Sequence, residues 1–134
     1  MAGRFGRPRL RVLLDTNAFI WWLDDPAQLA QPAREAIEDG SVAVAVSAVT
    51  AFEIRTKAAL GKLTFDGDIA HHIEQEGFEK LPLTVEHAVT AGSLPLIHRD
   101  PFDRLLIGQA LSERLTIATR DTTFLSYGIP LLAA

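Results

Sequence analysis

The sequence predicts a single α/β domain in which a parallel sheet carries helices on both faces. Two observations lead there. Short runs of branched apolar residues alternate with stretches of helical periodicity, and the first run, Leu10 to Leu14, ends in consecutive apolar residues, Val12, Leu13 and Leu14, with no polar alternation. A strand of that kind is covered on both faces. Strands separated by helices require crossover connections, and crossovers make parallel strands. With 134 residues, 48% of them hydrophobic, the chain suits one domain that buries enough surface to fold without a disulfide or structural metal.

Taken in order, Leu10 to Leu14 reads as the first strand. A helix carrying Ala18, Phe19, Trp22 and Leu23 follows and ends near Pro26, and Pro32 opens a short helix that stops at Gly40. Val42 to Val46 is the second strand, and Ser47 is placed to cap a helix from Ala48 to Leu60, closed by Gly61. Helices are expected at Asp68 to Glu76 and at Val85 to Ser93, the second capped by Thr84, with a strand at Lys80 to Leu83 between them. Asp100-Pro101 opens a helix to about Arg114, because proline suits the first helical position. Leu115 to Thr119 is then a strand, Thr122 to Ser126 a short helical turn, and Ile129 to Leu132 an edge strand in which Pro130 is tolerable. Residues 1–8, rich in Gly, Arg and Pro, are expected to form a mobile basic arm ahead of a domain over 9–134.

The chain has no cysteine, which removes disulfide frameworks and thiolate metal sites and fits a reducing compartment. No apolar run approaches the roughly 20 residues of a membrane helix, and the basic start is not followed by the apolar stretch of a signal peptide. The expectation is a cytoplasmic protein with no membrane partner. The net charge of −4 speaks against a broadly basic nucleic-acid surface. Setting aside the four acids Asp15, Glu53, Asp103 and Asp121, however, leaves 13 acids against 13 Lys and Arg. The whole negative excess can therefore sit at one place where cations neutralise it.

Those four acids carry the functional argument. Sites in open parallel sheets form beyond the carboxyl ends of the strands, and both Asp15, in Leu-Leu-Asp-Thr-Asn, and Asp121, in Thr-Arg-Asp, fall there. The bland alternative for each is a helix cap. On the helix after Ser47, a 100° repeat puts Val49, Phe52, Thr56 and Leu60 on one inward face, with Glu53 about 40° from Val49. A charged Glu on such a stripe is costly unless it is paired or binds a metal, and an ion pair with Lys57, four residues on, is the competing explanation. Asp103 is the third residue of the helix capped by Asp100, where an acid also favours a helix start. Gathered in one cleft, four carboxylates would repel without a counter-charge, and oxygen donors without Cys or His favour Mg2+ or Mn2+. Such an ion activates water toward a phosphodiester. Thr16, Asn17 and Thr119 flank the acids and are candidates for holding water or phosphate, although such residues after a strand are usually turn formers.

At these positions the chain resembles the PIN-domain family, and within it the VapC toxin nucleases of bacterial toxin–antitoxin pairs. The resemblance rests on Leu-Leu-Asp-Thr-Asn at 13–17, Phe-Glu-Ile followed by Lys-Ala-Ala-Leu-Gly-Lys-Leu across 52–63, Asp-Pro-Phe-Asp-Arg-Leu-Leu-Ile at 100–107, and Thr-Arg-Asp at 119–121. It spans nearly the whole chain, with the acids 38, 50 and 18 residues apart. It implies a five-stranded parallel sheet, Mg2+- or Mn2+-dependent cleavage of single-stranded RNA, homodimers, and an antitoxin whose segment occupies the cleft. It implies catalytic and metal-binding roles for Asp15, Glu53, Asp103 and Asp121. Asp100, one turn before Asp103, is the alternative for the third acid; Asp103 is preferred because the acid of the motif directly precedes the apolar helical run.

Other residues have plainer readings. His71 and His72 are adjacent, which places them about 100° apart on a helix and argues for surface positions. His87 and His98 are isolated; His98 is near enough to the Asp100 loop to touch substrate, but a satisfied loop histidine is the simpler expectation. Trp21 and Trp22 suit packing more than base stacking. Arg55, Arg99, Arg104 and Arg120 lie near the acids in sequence, with Arg104 and Arg120 the candidates for gripping phosphate and ion pairs with those acids the alternative. Two further functions remain open at this stage. One is a small phosphohydrolase with Asp15 as covalent nucleophile, weakened because Asn17 stands where a second Asp is wanted. The other is a non-catalytic protein-binding module.

Overall fold

The computed structural model describes residues 10–134, so the expected basic arm lies outside the described residues. Strands β1 (Arg11–Leu14), β2 (Ala43–Ser47), β3 (Glu79–Leu81), β4 (Thr116–Thr119) and β5 (Leu131–Ala133) form one sheet in the order β3-β2-β1-β4-β5. Every neighbouring pair is parallel, with Leu13 opposite Ala45 on one side and Ile117 on the other. Helices α1 (Thr16–Asp24), α2 (Gln31–Glu38), α3 (Ala48–Ala59), α4 (Ile69–Gln75), α5 (Val85–Ser93) and α6 (Pro101–Glu113) make the connections.

The apolar run of β1 has its expected cause. As the middle strand it sends Val12 and Leu14 into one core, with Phe19, Ile54 and Ile73, and Leu13 into a second core, with Leu106, Ile107 and Phe124. Helices therefore cover both faces. Local signals placed the ends well. Ser47 Oγ accepts from the Val49 N–H at 2.9 Å, Thr84 and His87 close a capping box on α5, and Gly61 adopts φ 72° to end α3. β1, β2 and β4 differ from expectation by no more than a single residue at either end, and the other two strands shift further. β3 covers Glu79–Leu81 because Pro82 cannot extend the ladder, and β5 begins after Pro130, whose carbonyl accepts from the Ile117 N–H at 3.0 Å.

Two contacts tie α6 to its surroundings. Ser47 Oγ donates to Gln109 Oε1 at 2.6 Å, both side chains being fully buried, while Gln109 Nε2 donates to the Pro82 carbonyl at 3.2 Å, a polar link between α6, β2 and the segment after β3. Gly108 packs α6 directly onto α5: a Cβ there would lie 2.8 Å from the His87 carbonyl oxygen and 2.9 Å from the Ala91 nitrogen, both backbone atoms that cannot step aside cheaply. Gly108→Ala should therefore lower stability by about 1–2 kcal/mol, overpacking outweighing the helix propensity gained. A thermal melt equal to or above wild type would refute this.

Candidate active site

The chain leaves β1 to build β2 and β3 on one side, and β4 then takes the other side of β1. The strand order reverses between β1 and β4, which opens a crevice at their carboxyl ends. Asp15 follows β1 directly, and Asp121 lies just past β4. Glu53 reaches the crevice from α3 and Asp103 from the first turn of α6. All four line one cleft of about 190 Å3, and Thr16, Asn17, Thr119 and Arg120 reach it too.

Each acid is held by its own local chemistry. Asp15 Oδ1 accepts from the Ala18 N–H at 2.7 Å, so the acid is both a helix cap and a wall of the cleft. Burial raises its carboxyl above the ordinary range; hydrogen bonds from Thr119 and Ala18 oppose this, Glu53 adds repulsion, and Arg120 relieves some of it. Glu53 is 5% exposed and accepts from Thr16 Oγ1 at 2.6 Å and from Lys57 Nζ. Thr16 has one hydroxyl proton, spent on Glu53, so the 3.1 Å contact with Thr50 requires Thr50 to donate. The ion pair with Lys57 and the inward position of Glu53 thus coexist.

Asp103 is the most perturbed group. Its carboxyl is pushed up to about 7, first by burial and next by the charge of Asp100, with His98 opposing and Glu53 and Asp15 adding to the rise. For Asp121 burial also raises the carboxyl, but hydrogen bonds from the backbone and hydroxyl of Thr123 and from His98 outweigh it and leave it lowered. His98 Nε2 lies 2.9 Å from Asp121 Oδ2 and 3.1 Å from Asp103 Oδ2. Asp100 Oδ1 accepts from the Phe102 and Asp103 N–H groups, which is the capping role expected of it, and Asp100 also lines the cleft.

Several expectations need correction. The inward face of α3 is Val49, Thr50, Glu53 and Ile54, whereas Phe52 and Leu60 are 66% and 63% exposed. Glu53 is inside for a different reason: the face is partly polar because it meets Thr16 of α1 across the cleft, and Phe52 instead packs in a tilted pair against Phe102 of α6 with centroids 5.9 Å apart. Arg104 is turned away from the acids. Its guanidinium donates to the carbonyls of Ala91, Leu94, Pro95 and His98, fastening the segment before α6, which leaves it neither a phosphate contact nor an ion pair. Arg120 stays at the rim, but its donors go to the carbonyls of Ala134 and Gln28 while it lies 3.9 Å over the Trp21 ring. Arg55 likewise donates to the Gly67 carbonyl.

Sequence reasoning places His98 near the Asp100 loop but prefers a satisfied loop histidine, whereas it contacts two of the four acids. The available signal was its position two residues before Asp100, at the mouth of the motif. His87, in contrast, is a buried structural group whose Nε2 meets Glu113 Oε2 at 2.6 Å. Both tryptophans are half-buried, in keeping with packing; the Trp22 indole N–H donates to Glu76.

The donor set fits a hard divalent cation. It consists of carboxylate oxygens from four separate elements, with no thiolate, around a cleft where burial and then the like charges already drive Asp103 toward protonation. Asp15 as a covalent nucleophile fits less well, since Oδ1 is engaged by Ala18 and the carboxyl is also bound by Thr119.

Known proteins bear on this arrangement. The PIN domain family matches residues 12–129. Ribonuclease VapC22 of Mycobacterium tuberculosis (strain ATCC 25618 / H37Rv) is 31% identical over 127 residues, covering 89% of this chain and 93% of that protein. The crystal structure of VapBC2 from Rickettsia felis, bound to a DNA fragment from their promoter, aligns with a TM-score of 0.64 at 14% identity over 91% of this chain and 97% of that one. A toxin-antitoxin complex from Klebsiella pneumoniae aligns with a TM-score of 0.63 at 20% identity over 91% of this chain and 96% of that one. At such identities the two structures speak for the fold alone. The family match runs from β1 to the start of the last strand region, and with a relative above 30% identity over most of both chains it decides membership: the chain belongs to the PIN domain family.

Proposed function

We propose that the protein is an Mg2+- or Mn2+-dependent endoribonuclease that hydrolyses single-stranded RNA, and that it is the toxin of a toxin–antitoxin pair. One observation carries the reading most: Glu53, on a helix remote in sequence from the other acids, is buried in the same cleft as Asp15 and Asp103, whose carboxyls are both raised. The 31% identity to a protein named as a ribonuclease supports RNA as substrate.

In this reading Asp15, Glu53, Asp103 and Asp121 hold the cation. When bound, the ion lowers the pKa of the attacking water and offsets charge on the leaving oxygen. The chain's own residues orient and bind. Thr16 and Thr119 anchor Glu53 and Asp15, two of the acids that line the cleft. Asn17, exposed at the rim, presents an amide to phosphate or base, and Lys57, paired with Glu53 and half-exposed, is a cation able to turn to a phosphate. Partners follow from the same reading: an antitoxin segment that fills the cleft and a second copy of the chain. The toxin-antitoxin complex sharing the fold supports the first, and the exposed apolar residues Val85, Val89 and Leu96 offer surface for association. Among the described residues no helix is long and apolar enough to cross a membrane.

The test is to incubate purified protein with total RNA, with and without Mn2+, and to sequence the cut ends. Cuts within single-stranded regions that appear only with the ion are expected. Calorimetry showing no Mn2+ binding would leave the binding-module reading in its place.

A further inference from the structure

Resting on the metal-site reading above, we infer that His98 is a positioning residue that clasps Asp103 and Asp121 together from outside the coordination sphere, not a ligand of the ion. The nearer alternative is inviting, because ligand-type atoms of His98, Asp103 and Asp121 all lie within 4.8 Å of one another. Hydrogen-bond polarity decides against it. The Asp100 N–H donates to His98 Nδ1 at 3.2 Å, so Nδ1 carries the lone pair and the neutral ring has its proton on Nε2. That N–H donates to Asp121 Oδ2 at 2.9 Å, and Asp103 Oδ2 lies 3.1 Å from the same nitrogen. A ligating histidine shows the reverse arrangement: a lone pair toward the ion and the other ring N–H given to a carbonyl, carboxylate or water. Moving the proton to Nδ1 would set it against the Asp100 N–H.

The ring is also fastened against turning. The His98 backbone N–H donates to the Tyr127 hydroxyl at 2.7 Å, that hydroxyl donates to the Pro95 carbonyl at 2.8 Å, and Arg104 donates to the His98 carbonyl. The ring meets Phe124 edge-on with centroids 5.5 Å apart. A fixed ring edge thus hydrogen-bonds the carboxylate from the turn after β4 and sits against the one from α6, so the two acids share one partner. Asp121 needs this most, because its side chain is 42% exposed and its other anchors come from Thr123. Arg104, by fastening the segment that carries His98, supports the same arrangement at one remove.

Three readouts test the inference on the full chain. Long-range 1H–15N correlation of the ion-free protein should place the His98 ring proton on Nε2. Pulsed EPR of Mn2+ bound to protein carrying 15N-histidine should show no directly coordinated ring nitrogen. Titration calorimetry should show Mn2+ binding weakened about tenfold or more in His98→Leu, largely recovered in His98→Gln, which restores a terminal N–H, and an Mn2+:Mg2+ preference within about twofold of wild type. A 15N coupling to Mn2+, a proton on Nδ1, a loss selective for Mn2+ over Mg2+, or an unaltered affinity in His98→Leu would each overturn the clasp while leaving the nuclease reading intact. Absence of Mn2+ binding by the wild-type protein would overturn both. Should His98→Leu fail to fold, the wild-type spectra and His98→Gln still decide.

Discussion

Asp103→Asn is expected to reduce RNA cleavage by at least on the order of a hundredfold while raising the melting temperature of the ion-free protein. The two effects share a cause. Asparagine keeps the shape of the side chain and an oxygen beside His98, but it removes a charge that burial, Asp100, Glu53 and Asp15 all make unfavourable. A carboxyl pushed up to about 7 from 3.8 is destabilising once it is ionised at higher pH. Each pKa unit corresponds to about 1.4 kcal/mol, and since the side chain is 28% exposed, solvent screening cuts the gain to on the order of 2 kcal/mol. At this chain length that is a rise of roughly 5 °C. A cleavage assay and a melt in chelator at pH 8 check both halves; wild-type cutting, or a lower melting temperature, would contradict the assignment.

The ion-free protein should also lose stability as pH rises, and divalent ions should restore it. Because Asp103 is raised in the fold, the native state binds more protons than the unfolded chain between about pH 4 and 7, and stability falls through that window. Asp15, raised chiefly by burial, acts with the same sign. Asp121 acts oppositely: being lowered, it contributes stability present above the ordinary carboxylate range and lost only in acid. Lys57 is raised, mainly by its hydrogen bond to Glu53, and matters only at strongly alkaline pH. Mn2+ at about a hundred times its dissociation constant should add about 2.7 kcal/mol at pH 8. It should add less near pH 5.5, where protons compete for the same oxygens. Melts with EDTA or MnCl2 at both pH values measure this. Equal ion-induced shifts at the two pH values would show that the raised carboxyls are not where the ion binds.

Local signals read correctly from the chain are those whose cause is local. The Ser47 and Thr84 caps, the Gly61 stop, Pro101 at the start of α6 and the apolar run of β1 depend on a few neighbouring residues, and each sits where expected. The α3 face was misread because hydrophobic periodicity assumes that inward means apolar. Here part of the inward face belongs to the cleft, so Thr50 and Glu53 are buried while Phe52 lies outside. Arg104 was misread because nearness in sequence to Asp103 says nothing about direction, and its fan of donors points back to the loop before α6.

By itself, then, the order of residues determined an α/β chain with parallel crossovers, three acids spaced to emerge at strand ends and a helix start, and a fourth, Glu53, within a helix, since periodicity and capping act over a few residues. Tertiary structure alone decided that Glu53 and Asp103 share one cleft, that His98 lies against two acids, and that Arg104 serves the scaffold. These depend on which groups a side chain meets across the cleft, and such meetings are set by the packing of elements far apart in sequence.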